Sequence, residues 1–195
     1  IAESVTRQVI EPHLSKSLSF FESTYLELAT GGTATALSFE KATAQILSSK
    51  LKFNAQLTGQ LKRPGKGGYS DIFVIALDNV HCGIIDGKAS PSYRLSSDDY
   101  YKMRANYIPN YRELTNGVPL KLEFCSYVAG GFGNIASSLK KLTAETGIGA
   151  SALPAFELLR LAQVEEVGNK QPSVMNTLKA NKVLTLADFK FDGDV

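Results

Sequence analysis

Cysteine is scarce in this sequence. Cys82 and Cys125 are the only two in 195 residues, too few for a disulfide framework, so a reducing compartment is the default. Histidine is equally scarce. His13 and His81 form no HxxxH spacing, and there is no CxxC. His81 and Cys82, being neighbours, point to opposite faces of any strand, which argues against structural zinc. A Ser-His-Asp hydrolase needs a histidine near a nucleophile elbow, and no G-x-S-x-G occurs. No apolar run approaches the roughly eighteen residues of a membrane span, and Ile1 does not open a signal peptide. Internal repeats and low-complexity segments are absent as well. The missing initiator methionine reads as a piece of a longer chain, or a trimmed one.

What is present describes a soluble globular domain: 44% hydrophobic and 21% charged residues. A chain of this length buries a core that needs no metal or disulfide staple, and 1–195 is read as one domain. Net charge is only +2, but it is unevenly spread. No acid falls between Glu40 and Asp71, whereas Lys41, Lys50, Lys52, Lys62, Arg63 and Lys66 all do. Such a stretch is either a solvated face or a phosphate-facing surface.

The first 51 residues or so read as helical, with Leu14, Leu18, Tyr25, Leu26 and Leu28 near helical spacing and Gly31-Gly32 as the stop. A second helix is expected from about Ser38 to Leu51. The loop from Gln60 to Gly68 breaks the periodicity. Strand-like runs follow at Tyr69–Leu77 and Val80–Lys88, joined by the turn pair Asp78-Asn79. Beyond them the pattern predicts a helix at Ser97–Tyr107, a strand at Leu120–Val128 and a helix after Gly133 to Thr146. A strand at Gly149–Leu153, a helix at Ala155–Val167 and a last short helix complete the chain. This is an α/β domain with a mixed sheet.

The hairpin carries the chemistry. With Asp78-Asn79 as the loop, paired positions sum to 157, so Asp71 lies opposite Asp86 on one face, and Lys88 points the same way. Phe73, Ile75, Cys82 and Ile84 share that face, while Ile72, Val74, Ala76 and Ile85 occupy the other. Strands apolar on both faces are central and covered on both sides. Two carboxylates there cost several kcal/mol unless a cation compensates. Lys88 can neutralise one of them. A divalent metal would neutralise both, and Mg²⁺ suits a site with two carboxylates and space for water and phosphate. The bland alternative is a structural Asp–Lys pair with a second Asp at a strand end.

These residues resemble a known motif. Ser70-Asp71-Ile72 and Ile84-Ile85-Asp86-Gly87-Lys88-Ala89 are similar to the PD-(D/E)xK nuclease signature, as found in the cleavage domain of FokI-type restriction endonucleases. Tyr25-Leu-Glu-Leu28, Phe39-Glu40-Lys41, Tyr93-Arg-Leu95, Met103, Leu122-Glu-Phe124, Gly133-Asn134 and the tail Leu184–Asp188 fall in matching order. The resemblance implies a restriction-endonuclease-like core, with a central mixed β-sheet flanked by helices. It implies Asp71 and Asp86 as metal ligands with the Gly87 carbonyl, Lys88 as the catalytic lysine, and Glu40 as an acid orienting water. Mg²⁺ is the implied cofactor, with Mn²⁺ substituting. Lys62, Arg63 and Lys66 would lie along the backbone of double-stranded DNA. The implied setting is the bacterial cytoplasm, with a separate DNA-recognition domain or subunit. Double-strand cleavage would call for a homodimer or heterodimer. Two departures stand out: Ser70 replaces the usual proline, and Tyr101 and Ala105 occupy positions where the family's dimerising helix carries opposite charges.

Competing readings remain. The same motif serves junction resolvases and repair nucleases, and a catalytically idle DNA-binding or dimerisation module would keep the fold. Gly131-Phe-Gly133-Asn-Ile-Ala136 matches a dinucleotide fingerprint, though it comes too late in the chain for a full nucleotide-binding half. Tyr100, Tyr101, Tyr107 and Tyr111 could stack on bases or cover a core.

Overall fold

The computed structural model of the chain describes residues 20–61 and 68–191. Leu14 and Leu18, and the basic residues Lys62, Arg63 and Lys66, lie outside the described residues. Helix α1 covers 20–30 and α2 covers Ala36–Ser49. Five strands follow: β1 Asn54–Leu57, β2 Ile72–Ile75, β3 His81–Lys88, β4 Lys121–Ala129 and β5 Gly149–Pro154. They form one sheet in the order β1-β2-β3-β4-β5, antiparallel up to β3 and parallel from β3 onward. Between β3 and β4 run α3 (Ser97–Tyr101), a π-helical segment (Lys102–Tyr107) and α4 (Ile108–Asn110). Helices α5 (Ala136–Thr146), α6 (Ala155–Ala162) and α7 (Gln171–Thr177) complete the set.

Strand alternation explains the layering, because successive side chains face opposite sides of the sheet. Ile72, Val74, Ala76 and Ile85 join the core formed with Tyr25, Phe39, Ile46, Leu47 and Leu158. Phe73, Cys82 and Ile84 join Tyr127, Met103, Leu139 and Leu142 on the other side. The sheet is therefore covered on both faces, as its doubly apolar strands require. Helix α2 buries Phe39, Glu40, Thr43, Ala44, Ile46 and Leu47, a stripe of helical period. Tyr25 of α1 locks onto it by ring contact with Phe39 at 5.3 Å and a hydroxyl hydrogen bond with Thr43 at 3.0 Å.

The hairpin register has the expected sum, with Ile72 opposite Ile85 and Ile75 opposite Cys82. Its loop is wider than two residues. The ladder closes at Ala76 N–H to His81 carbonyl, 2.9 Å, and the N–H of Val80 bonds to Asp78 Oδ1 at 2.8 Å instead of to Leu77. Asn79 takes the left-handed conformation, φ 54°, which asparagine tolerates. Widening the loop by one residue on each side leaves the register unchanged.

Other expectations are corrected. Strand β1 was absent from the sequence pattern; it is a polar four-residue edge defined by pairing to β2. The sixth helix stops at Ala162, short of Val167, which belongs to a 3₁₀ turn, Val167–Lys170. The dinucleotide-like glycines serve a different purpose. The Gly131 carbonyl accepts from Tyr93 N–H, the Gly133 N–H donates to the Tyr93 carbonyl, and a Cβ on Gly131 would sit 2.5 Å from the Pro91 carbonyl oxygen. They admit a close chain crossing. No helix among the described residues is long and apolar enough to cross a membrane.

Phe124 on β4 is fully buried, and its ring fills the space a Cβ on Gly83 would occupy. Phe124→Ala is expected to cost about 3–5 kcal/mol, read as a lower urea midpoint at unchanged m-value. A loss under about 1 kcal/mol would contradict its place in the core.

Candidate active site

The charged cluster lies at the end of the β2–β3 ladder. Asp86 and Lys88 alternate with Gly87 on β3, so both side chains leave one face, and Lys88 Nζ reaches Asp86 Oδ2 at 2.8 Å. Asp71 stands one residue before β2, beyond the last ladder pair. Its Oδ2 accepts from Gly87 N–H at 2.8 Å, and the neighbouring Asp86 carboxyl acts on it directly. Glu40 reaches the same place from α2: a Cβ on Gly87 would lie 3.3 Å from Glu40 Cγ and 3.7 Å from Asp71 Oδ2. A glycine at 87 thus lets two carboxylate side chains close over the strand.

The residues just after β1 hold Asp71 from behind. The backbone N–H groups of Thr58 and Gly59 both donate to its carbonyl, at 2.8 and 3.2 Å, and Thr58 Oγ1 donates to the Ser70 carbonyl at 2.6 Å. Gly59 is required by the same approach, since a Cβ there would come within 2.7 Å of Asp71 Oδ1.

Asp86 is 2% exposed and Glu40 is 8% exposed. Burial, then the charges of Asp86 and Glu40, hold the Asp71 carboxyl well above its ordinary range. Glu40 is raised by burial and by Asp86, with Lys88 opposing. For Lys88, burial works against the ammonium, but Asp86, Asp99 and Asp71 outweigh it and keep it firmly charged. Three crowded carboxyls beside one ammonium cannot all ionise cheaply, so they hold on to protons that a hard cation would displace.

Sequence reasoning gave Asp99 and Tyr93 no role in the site, and named Tyr107 only as a residue that could stack on bases or cover a core. Asp99 on α3 takes a second contact from Lys88 Nζ, 3.3 Å to Oδ1. Tyr93 donates its hydroxyl to Asp99 Oδ2 at 2.8 Å. Burial opposes charge on Asp99, yet the Tyr93 hydrogen bond and Lys88 hold its carboxyl below the usual range. Tyr107, at the end of the π segment, is half-buried near Asp86 and Asp71, and burial with those two charges raises its hydroxyl. The only sequence signal was the order of residues after Lys88, which does not show which way α3 faces. Among the other tyrosines, Tyr100 and Tyr111 pack on the second core and Tyr101 is exposed.

The expected ligands are all oxygens: the Asp71 and Asp86 carboxylates and the Gly87 carbonyl, with Glu40 adjacent. That set suits Mg²⁺ or Mn²⁺, which need only one or two carboxylates and otherwise keep water and phosphate. Among the described residues no group of three His, Cys, Asp or Glu side chains forms a protein cage for a metal. A cavity of about 720 Å³, lined by Phe21, Gln45, Lys50 and Leu159, lies between α1, α2 and α6 and contains none of these acids.

A mixed sheet between two helical layers, with acids and a lysine gathered at the end of its central hairpin, defines a nuclease-type α/β domain. The chain belongs to the FokI cleavage-domain family, whose description, "FokI, cleavage domain", matches residues 1–185. Two solved structures are similar. Restriction endonuclease FokI has a TM-score of 0.65 at 16% identity over 83% of this chain. FokI bound to DNA has a TM-score of 0.67 at 15% identity over 93% of it. The chain spans about a third of those proteins, 30% and 35% of their lengths. No match was found among curated proteins.

A raised carboxyl stabilises the fold while it is protonated, and that stability is lost as pH rises through its folded value. In EDTA the protein is therefore expected to lose stability from about pH 5 to pH 9. Asp71→Asn, which keeps an acceptor for Gly87 N–H, should flatten this dependence and melt higher than the parent at the alkaline end. Equal slopes for both proteins in thermal melts would contradict the crowding of these carboxyls.

Proposed function

We propose that this chain is the cleavage domain of a divalent-metal-dependent DNA endonuclease, of the type IIS restriction class, acting with a separate DNA-recognition domain or subunit. The convergence of Asp71, Asp86, Lys88 and Glu40 at one strand end carries this reading, and family membership supports it. Asp71, Asp86 and the Gly87 carbonyl would hold Mg²⁺ or Mn²⁺. When bound, the ion supplies Lewis-acid stabilisation of phosphate charge.

Phosphodiester hydrolysis adds water to phosphorus and expels an alcohol oxygen. Negative charge grows on the non-bridging oxygens as it does so. The Lys88 ammonium, braced against Asp86, offers fixed positive charge for that purpose, and such preorganised stabilisation needs no rearrangement during the reaction. Glu40, which reaches over Gly87, would orient the attacking water. Lys62, Arg63 and Lys66 would lie along the duplex backbone, and two copies, or this chain with a second nuclease subunit, would cut both strands.

Supercoiled plasmid cleavage with Mg²⁺ tests the reading. Asp86→Ala, Asp71→Ala and Lys88→Ala should each lose at least about 10²-fold in rate, the usual scale for deleting a transition-state stabiliser, and EDTA should abolish cutting. Variants that cut as well as the parent would refute the assignment. Neutralising Lys62, Arg63 or Lys66 singly should reduce the slope of log K against log salt by about 0.9 for each phosphate the protein no longer neutralises. Unchanged slopes would remove these residues from the DNA surface.

A further inference from the structure

The ion pair at the centre of the proposed site has a third member with no role in the chemistry above. Lys88 Nζ lies 2.8 Å from Asp86 Oδ2 and 3.3 Å from Asp99 Oδ1. Asp99 comes from α3, which supplies no proposed ligand. Its Oδ2 accepts from the Tyr93 hydroxyl at 2.8 Å and from the Ser96 hydroxyl at 3.0 Å. Lys102 Nζ lies 3.9 Å from Oδ1. Tyr93 is itself fixed, by backbone bonds to Gly131 and Gly133 and by ring contacts with Tyr127 and Phe132. The orientation of this carboxylate is thus determined by three parts of the chain.

A purely structural role accounts for less than this. Ser96 caps α3 by accepting from Asp99 N–H at 3.1 Å, a bond that uses the backbone of residue 99 and not its carboxylate. An acid in a first helical turn gains from the helix dipole while pointing to solvent. Asp99 instead turns inward, one oxygen to Tyr93 and Ser96 and the other to Lys88.

We infer that Asp99 is a positioning residue for the cleavage site: it shares the Lys88 ammonium with Asp86, leaving Asp86 available to a divalent cation while the ammonium stays at the reaction centre. This rests on the proposed metal-dependent nuclease reading. An ammonium has three protons and divides them between two acceptors. Without the second carboxylate it commits to Asp86 and competes with the cation for the same oxygens. Partners of this kind commonly contribute about 10–100-fold in metal affinity or activity.

The test compares Asp99→Asn, Lys88→Met and the double variant by direct Mn²⁺ titration without DNA, and by plasmid cleavage. Asp99→Asn keeps the shape and can still accept from Tyr93 and Ser96. It should weaken Mn²⁺ binding about tenfold or more and lower kcat by a similar factor at little cost in KM. In the Lys88→Met background the same change should alter Mn²⁺ affinity less than about twofold, because its effect passes through the lysine. Tyr93→Phe, which frees one end of Asp99, should weaken Mn²⁺ in the same direction by a smaller factor, and it serves if Asp99→Asn does not fold in a thermal melt. Equal weakening in both backgrounds would mean that Asp99 acts only as a remote charge or a helix support, and the inference would fail. It would fail equally if Asp99→Asn binds Mn²⁺ and cuts like the parent while Lys88→Met is inactive, a result that leaves the nuclease reading standing. A Lys88→Met protein that cuts normally would bring down both.

Discussion

Three carboxylates and one ammonium share the end of a hairpin whose strands are otherwise largely apolar on both faces, and that crowding is the constraint around which the chain is arranged. Removing such groups from water costs several kcal/mol per unpaired ion, so their positions have to be imposed by the rest of the fold. Phe39, next to Glu40, is fully buried against Tyr25, so the apolar stripe of α2 drives an acid inward that would otherwise face solvent. On the sheet side, Ile72 and Ile85 are buried immediately beside Asp71 and Asp86 in the chain. The core carries the charge to where it would not go alone.

Much of this could be read from residue order. A hairpin loop with Asp78-Asn79 at its centre fixes a sum of 157 whether it closes at Leu77–Val80 or at Ala76–His81, and the structure closes it at the wider pair. The division of β2 and β3 into two apolar faces followed from that register and from period-2 alternation. The mixed sheet followed from helices placed between later strands. These features depend on neighbours in sequence, or on a partner strand one tight turn away, so local chemistry settles them.

Features set by distant partners were not legible. β1 consists of Asn54, Ala55, Gln56 and Leu57, with no β-branched or aromatic residue, and its strand character comes from hydrogen bonds to β2 rather than from its own pattern. Yet this is the strand that leads to Thr58 and Gly59 and so fixes Asp71. Asp98 and Asp99 are adjacent acids that residue order does not distinguish, and the packing of α3 separates them, Asp98 paired with Lys102 and Asp99 turned to Lys88. Gly131 and Gly133 imitate a nucleotide loop because both demands, close backbone approach and a helix shortly afterward, select glycine at similar spacing.

The segment after β3 shows how one short stretch meets several demands. Tyr93 in the loop and Asp99 on α3 brace the lysine, while Tyr101, two residues past Asp99, is 55% exposed. A continuous α-helix would carry its buried stripe onward at 3.6-residue spacing. The π segment from Lys102 to Tyr107 inserts wider turns, which change the phase of the later residues. Met103, four residues after Asp99, is buried in the second core, and Tyr107 ends beside the charges of Asp86 and Asp71. π turns are poor packing units and persist where a side chain must be re-aimed, often at functional sites. Here the re-aimed Tyr107 packs half-buried on the second core, near enough to Asp86 and Asp71 for their charges to act on its hydroxyl. The irregular helix and the crowded acids therefore meet one requirement: a charged strand end kept partly out of water.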